Sequence, residues 1–104
     1  MDLNIRDNRL STPLHWATYS RSETSLNYLL AWGADIEATD QQGYRPLHLA
    51  VKSVEALEST RPVKALLLRG ADRNALDKQD RRAIMLADKT TLPENLYKEL
   101  ETIL

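Results

Sequence analysis

Thr12-Pro13-Leu14-His15-Trp16-Ala17 returns, altered, as Arg45-Pro46-Leu47-His48-Leu49-Ala50. From His15 to His48 is 33 residues, and a self-similar step of that size points to stacked repeats of one supersecondary unit. A second marker follows each time. Gly33-Ala34-Asp35-Ile36-Glu37-Ala38 returns as Gly70-Ala71-Asp72-Arg73-Asn74-Ala75, four residues later than a strict repeat would place it. The first marker has the chemistry of a helix start. The Thr12 hydroxyl can accept from a free N–H of the first turn, and Pro13 suits the first helical position, where no N–H is required. Pro46 repeats that placement. The second marker has the chemistry of a helix stop, because Gly33 and Gly70 adopt the left-handed conformation at little cost. Each unit therefore reads as a helix pair closed by a glycine and followed by a turn.

The rest of the chain can be laid out around these signals. In residues 1–6, Asp2-Leu3-Asn4 matches Asp35-Ile36-Glu37 and Asp72-Arg73-Asn74 in phase, so the segment reads as the end of a preceding unit. That phase fits a piece of a longer array, or a natural start without its first unit. Residues 7–39 are the first full unit. Leu14 and Ala17 face inward on its first helix, Arg21-Ser22-Glu23 is the turn, and Ser22 or Thr24 caps the second helix. Leu26, Leu29 and Leu30 then fall on one helical face. Residues 40–76 are the second unit, with Gly43 at a tight turn that needs positive φ. Its four extra residues lie between Ser53 and Arg61, where Val51, Val54 and Leu57 or Glu58 continue the first helix. Ser59 or Thr60 caps the next one, and Val63, Leu66 and Leu67 form its apolar face. Residues 77–104 are a degenerate third unit suited to capping the stack. Asp80 replaces the turn glycine, a change Asp tolerates better than most residues. Ile84, Leu86 and Ala87 keep the apolar spacing, and Leu96, Leu100 and Ile103 or Leu104 mark a final helix. The other side of that helix, with Glu94, Lys98, Glu99 and Glu101, predicts the polar outer face a terminal repeat needs.

Composition narrows the function classes. With 42% hydrophobic and 28% charged residues and a net charge of -1, nothing in bulk favours nucleic-acid or membrane binding. The apolar runs are too short for a membrane span, and the N-terminus lacks a signal peptide's apolar core. Cysteine is absent. That excludes a disulfide framework and thiol catalysis, and it fits a reducing compartment. Two of the three glycines are helix stops, so no phosphate-binding loop is available. No Cys/His spacing suits a metal, and Ser11 and Thr12 have no free base to activate them. Neither catalysis nor a cofactor or metal is expected of this chain.

Thr-Pro-Leu-His-x-Ala, the helix pair, Leu-Leu-x-x-Gly-Ala-Asp and the 33-residue step together resemble the ankyrin-repeat family over essentially the whole chain. The resemblance implies an all-α solenoid of stacked antiparallel helix pairs, with β-hairpin-like turns projecting to one side. It also implies a concave groove that binds a protein or peptide. Leu14-His15-Trp16-Ala17 and the lengthened second unit further resemble the ankyrin arrays of DHHC-type palmitoyl acyltransferases. That implies a cytosolic recruiting section of a larger membrane enzyme, whose catalytic Cys lies outside this chain. A stand-alone scaffold or regulatory adaptor is the alternative.

The resemblance also sorts the residues. It assigns Thr12, Pro13, His15, Pro46, His48, Gly33 and Gly70 to the framework, each His supporting the turn of the next unit. Arg45 stands where Thr12's counterpart should be, so His48 lacks that local partner. Trp16 fits core or groove edge. Tyr19, Trp32 and Tyr44 fall at groove positions, and aromatic residues make good interface anchors because they bring large area with few torsions to freeze. Arg9, Lys52 and Arg81 are partner-binding candidates on the same side, with Arg6, Arg82 and Lys89 beside them. Such a basic groove favours acidic or phosphorylated peptides or an anionic membrane face. Asp7, Asp77, Asp80 and Asp88 are interleaved and dilute that field. Self-association through an exposed repeat end is a further expectation.

Overall fold

The computed structural model describes residues 3–20 and 22–104. The expected roles of Asp2 in the first turn and Arg21 in the first interhelical turn lie outside the described residues. Among these residues five α-helices follow in order: α1 Pro13–Tyr19, α2 Glu23–Ala31, α3 Pro46–Leu57, α4 Arg61–Leu68 and α5 Glu94–Ile103. A 3-10 turn, Ala83–Leu86, precedes α5. No strand forms among the described residues.

The helix boundaries follow from local chemistry. Thr12 is the N-cap of α1, with Pro13 in the first turn. Its hydroxyl accepts from the His15 N–H, and its own N–H donates to His15 Nδ1 at 3.1 Å, a reciprocal cap in which the imidazole acts for the usual Glu or Gln. Ser22 caps α2. Two linked hydrogen bonds close α2: Gly33 N–H donates to the Leu30 carbonyl, and Ala34 N–H to that of Leu29. Gly70 and Ala71 repeat this on Leu67 and Leu66 at the end of α4. Both glycines take the positive φ that this motif requires.

The core lies between the helices. Leu14, Leu26, Leu47, Ala50, Val54, Val63, Leu66 and Leu100 are all buried. Central α3 packs on α1, on α4 and on the 3-10 turn, and Pro46 through Val51 are buried without interruption. At 12 residues α3 outruns the 7-residue α1, and it stops where Glu58 adopts a left-handed φ of 52°.

The third unit, read as degenerate, is built differently from the other two. Its inner segment is one 3-10 turn, with Ala83 buried and Ile84, Leu86 and Ala87 only partly covered. Arg82 supplies no side-chain cap. Met85 stands where His15 and His48 stand in the other units, and it is exposed. Asp88 then accepts the Thr90 N–H and hydroxyl and starts a new turn before a helix can propagate. One further expectation is corrected, and one alternative is decided. Glu99 is not on the outer face: it accepts the Thr60 hydroxyl at 2.8 Å and pairs with Lys64, tying α5 to α4. Thr60, drawn into that bond, makes no side-chain cap on α4, and Ser59 Oγ instead accepts the Arg61 N–H.

Candidate functional site

Three turns project beside the helices, and each is built on an aspartate. Asp7 Oδ1 accepts the N–H groups of Arg9 and Ser11. Asp40 Oδ1 accepts those of Gln42 and Tyr44, and Asp77 Oδ1 those of Gln79 and Arg81. A backbone pair across each turn closes the loop, as in Asp40 N–H to the Tyr44 carbonyl at 3.0 Å. Neighbouring turns are stitched together by Gln41 N–H to the Arg9 carbonyl and Lys78 N–H to the Gln42 carbonyl. These bonds hold the Asp7 carboxyl below its ordinary range, chiefly through the Ser11 N–H. For Asp77, burial pushes the pKa up. The Arg81 and Gln79 N–H groups and the Arg81 guanidinium outweigh it, and the net shift is down.

The histidines lock the turns onto the helices. His15 Nε2 lies 2.8 Å from the Tyr44 carbonyl, and His48 Nε2 lies 3.0 Å from the Arg81 carbonyl. A carbonyl only accepts, so Nε2 carries the proton in each and Nδ1 is left as acceptor. Arg45 N–H donates to His48 Nδ1 at 3.2 Å. His48 therefore has a local partner without a threonine, because the backbone at position 45 supplies it.

The third glycine serves the turns rather than a helix end. Gly43 has φ 77°, and a Cβ there would come within 2.8 Å of the Lys78 nitrogen. Leu10 occupies the same place in the first turn at φ 63°, and Asp80 in the third at φ 58°. The strain at Leu10 escaped the sequence reading, although the 33-residue offset from Gly43 marks the position.

Between the first two turns and helices α1 and α3 lies an open depression of about 300 Å³. It brings together four of the predicted partner-binding residues: Arg9, Tyr19, Tyr44 and Lys52. Tyr19 is 66% exposed, and Trp16 meets its ring edge-on with centroids 6.4 Å apart. The Trp16 indole N–H donates to Asp7 Oδ2, which fixes the tryptophan at the rim. Tyr44 is half-buried. The Lys52 ammonium lies 4.9 Å above the centre of its ring, and Arg81 Nη2 donates to its hydroxyl at 3.1 Å. Arg81 thus adjoins the depression through Tyr44, while its Nε pairs with Asp77.

Trp32 is not part of this group. It is the C-cap of α2 and is 67% exposed there, away from the depression. Arg6 is also engaged elsewhere, donating to the Leu10 and Thr39 carbonyls. The sequence reading missed the turn-building role of Asp7, Asp40 and Asp77. Their spacing of 33 and then 37 residues is the signal that marks them.

Residues 1–77 match the family model described as ankyrin repeats (3 copies). The chain belongs to the ankyrin-repeat family, a protein-interaction module. Among curated relatives, it is 43% identical over 54 residues to palmitoyltransferase AKR1 of Lachancea kluyveri, covering 51% of this chain and 7% of that protein. It is 37% identical over 78 residues to the putative palmitoyltransferase ZDHHC13 of Danio rerio, covering 74% of this chain and 11% of that one. It is also 32% identical over 102 residues to human BCL-6 corepressor-like protein 1, covering 98% of this chain and 6% of that protein. The chain thus spans a small part of each relative. Among the described residues no helix is long and apolar enough to cross a membrane.

Proposed function

We propose that this chain is the substrate- or partner-recruiting section of a larger membrane palmitoyltransferase, placed on the cytosolic face. It holds an extended segment of its partner in the depression between Tyr19 and Tyr44. The observation that carries this reading is the set of exposed Tyr19, Lys52 and Arg9 with half-buried Tyr44 around one depression. None of these side chains makes the hydrogen bonds by which the His and Asp side chains join the turns to the helices. The mechanism is rigid presentation. Turns locked by those side chains hold the anchors in place, so binding freezes few torsions. Acyl transfer needs a cysteine, and this chain has none; the chemistry falls to other parts of the larger protein. Residues 77–104 serve as the cap of the stack, with α5 fastened to α4 through Glu99.

A second reading, a stand-alone scaffold or regulatory adaptor, is favoured by the match to the corepressor-like protein over nearly the whole chain. The gene product separates the two: membrane spans and an Asp-His-His-Cys motif support the first, and their absence the second. The groove itself is tested by pull-down with Tyr19→Ala and Tyr44→Ala. Loss of partner capture with helicity retained is expected, and unchanged capture would remove the depression from the site.

A further inference from the structure

The depression is chemically polarised along the stack. Position 19 of the first unit corresponds to Lys52 in the second and Lys89 in the third, at the same 33 and 37-residue offsets. Position 44 at the turn base corresponds to Arg81 in the third unit. One end therefore carries Trp16 and Tyr19 beside Arg9, and toward the later units the depression meets Lys52, with Arg81 adjoining through Tyr44. Lys52 is held over the Tyr44 ring, and Lys89 lies 5.9 Å above the centre of the Tyr97 ring.

The interleaved acids keep their charge and weaken this field, but apart from exposed Asp80 their carboxylate oxygens are engaged in the framework. Asp7 and Asp77 accept backbone N–H groups within their own turns, as does buried Asp40. Asp88 does the same with Thr90. These carboxylates are bound into the framework, whereas Lys52 and Lys89 remain exposed beside aromatic rings. Resting on the groove reading above, we propose that the partner is an extended peptide with an apolar anchor for the Tyr19–Tyr44 cleft. Next to the anchor, toward the third unit, it carries one or more Asp or Glu carboxylates.

Two features favour a carboxylate peptide over other anions. The Arg81 fork is occupied by Asp77 on its Nε side and by the Tyr44 hydroxyl at Nη2, so it presents no open bidentate cradle for a phosphate. Lys52 and Arg9 line a concave depression of a chain whose net charge is -1, an arrangement a flat membrane does not complement.

Selection of random linear peptides displayed on phage, followed by fluorescence anisotropy with the enriched peptides, tests the proposal. Enriched peptides combining an apolar residue with Asp or Glu are expected. They should bind less tightly at raised salt, and about tenfold less tightly to Lys52→Glu. Circular dichroism confirms the fold of that variant, and Lys52→Gln serves if the reversal does not fold. Neutral or basic peptides that are lost with Tyr19→Ala would overturn the charge assignment and leave the groove standing. Failure to enrich any peptide, or binding insensitive to both Tyr19→Ala and Lys52→Glu, would overturn the groove with it. Lys52-dependent binding of phosphatidylserine vesicles without acidic-peptide enrichment would also overturn the proposal.

Discussion

The first and third units begin from the same phase and end differently. The first has Thr12, Pro13 and His15, and builds α1. The third has Arg82, Ala83 and Met85 at the matching places, and builds only a 3-10 turn. Both keep apolar residues at helical spacing, so spacing alone does not make the helix. What the third unit lacks is a reciprocal cap at its start and an imidazole reaching to the next turn. Removing those contacts from the first two units should therefore move them toward the third.

The largest effect is expected at His48. His48→Ala leaves the Arg45 N–H and the Arg81 carbonyl without their partner in the middle of the stack. A loss of about 2–4 kcal/mol follows, readable by urea unfolding. A loss below about 0.5 kcal/mol would mean that the imidazole is not what separates the units. Gly43→Ala comes next, at about 1–3 kcal/mol, because it combines positive φ with a close approach to the Lys78 backbone. Equal stability of Gly43→Ala and the parent would show that the second turn is looser than its geometry.

Acid titration sharpens the comparison further. Asp7, Asp77, Asp88 and Glu99 all have pKa values below their ordinary 3.8 or 4.5. Their folded values lie below the unfolded ones. Their contribution is thus complete above the ordinary values and is lost as pH falls through the folded ones. Tm should decline as pH drops below about 4.5, and less steeply in Asp77→Asn. A Tm that is flat across that range would contradict the aspartate-built turns. The smallest effect is expected at Leu10, where Leu10→Gly relieves the left-handed strain. That gain is partly offset by glycine's greater freedom when unfolded, so the net rise is below about 1 kcal/mol.

Much of the fold was legible because its signals are local. Thr12 with Pro13, and Gly33 with Ala34, act within a few residues, and capping chemistry reads directly from such strings. The degeneracy of the third unit was legible in its missing caps, but not the short 3-10 turn, because its apolar periodicity survives and Asp88 competes for the backbone. Glu99 was misread because its partners, Thr60 and Lys64, come from another unit. Of the candidate site, Arg9, Tyr19, Tyr44 and Lys52 do converge, since repeat register sets their positions. Trp32 does not, because its place at the end of α2 depends on how the second helix exits.

The central claim separates residues that the repeat dictates from residues beside them. Parallel thermal unfolding and partner pull-down on His15→Ala and Tyr19→Ala test it most directly. His15→Ala should lower Tm by several degrees, while Tyr19→Ala keeps Tm and loses the partner. A Tyr19→Ala variant that loses stability, or one that keeps both Tm and partner, would contradict the account.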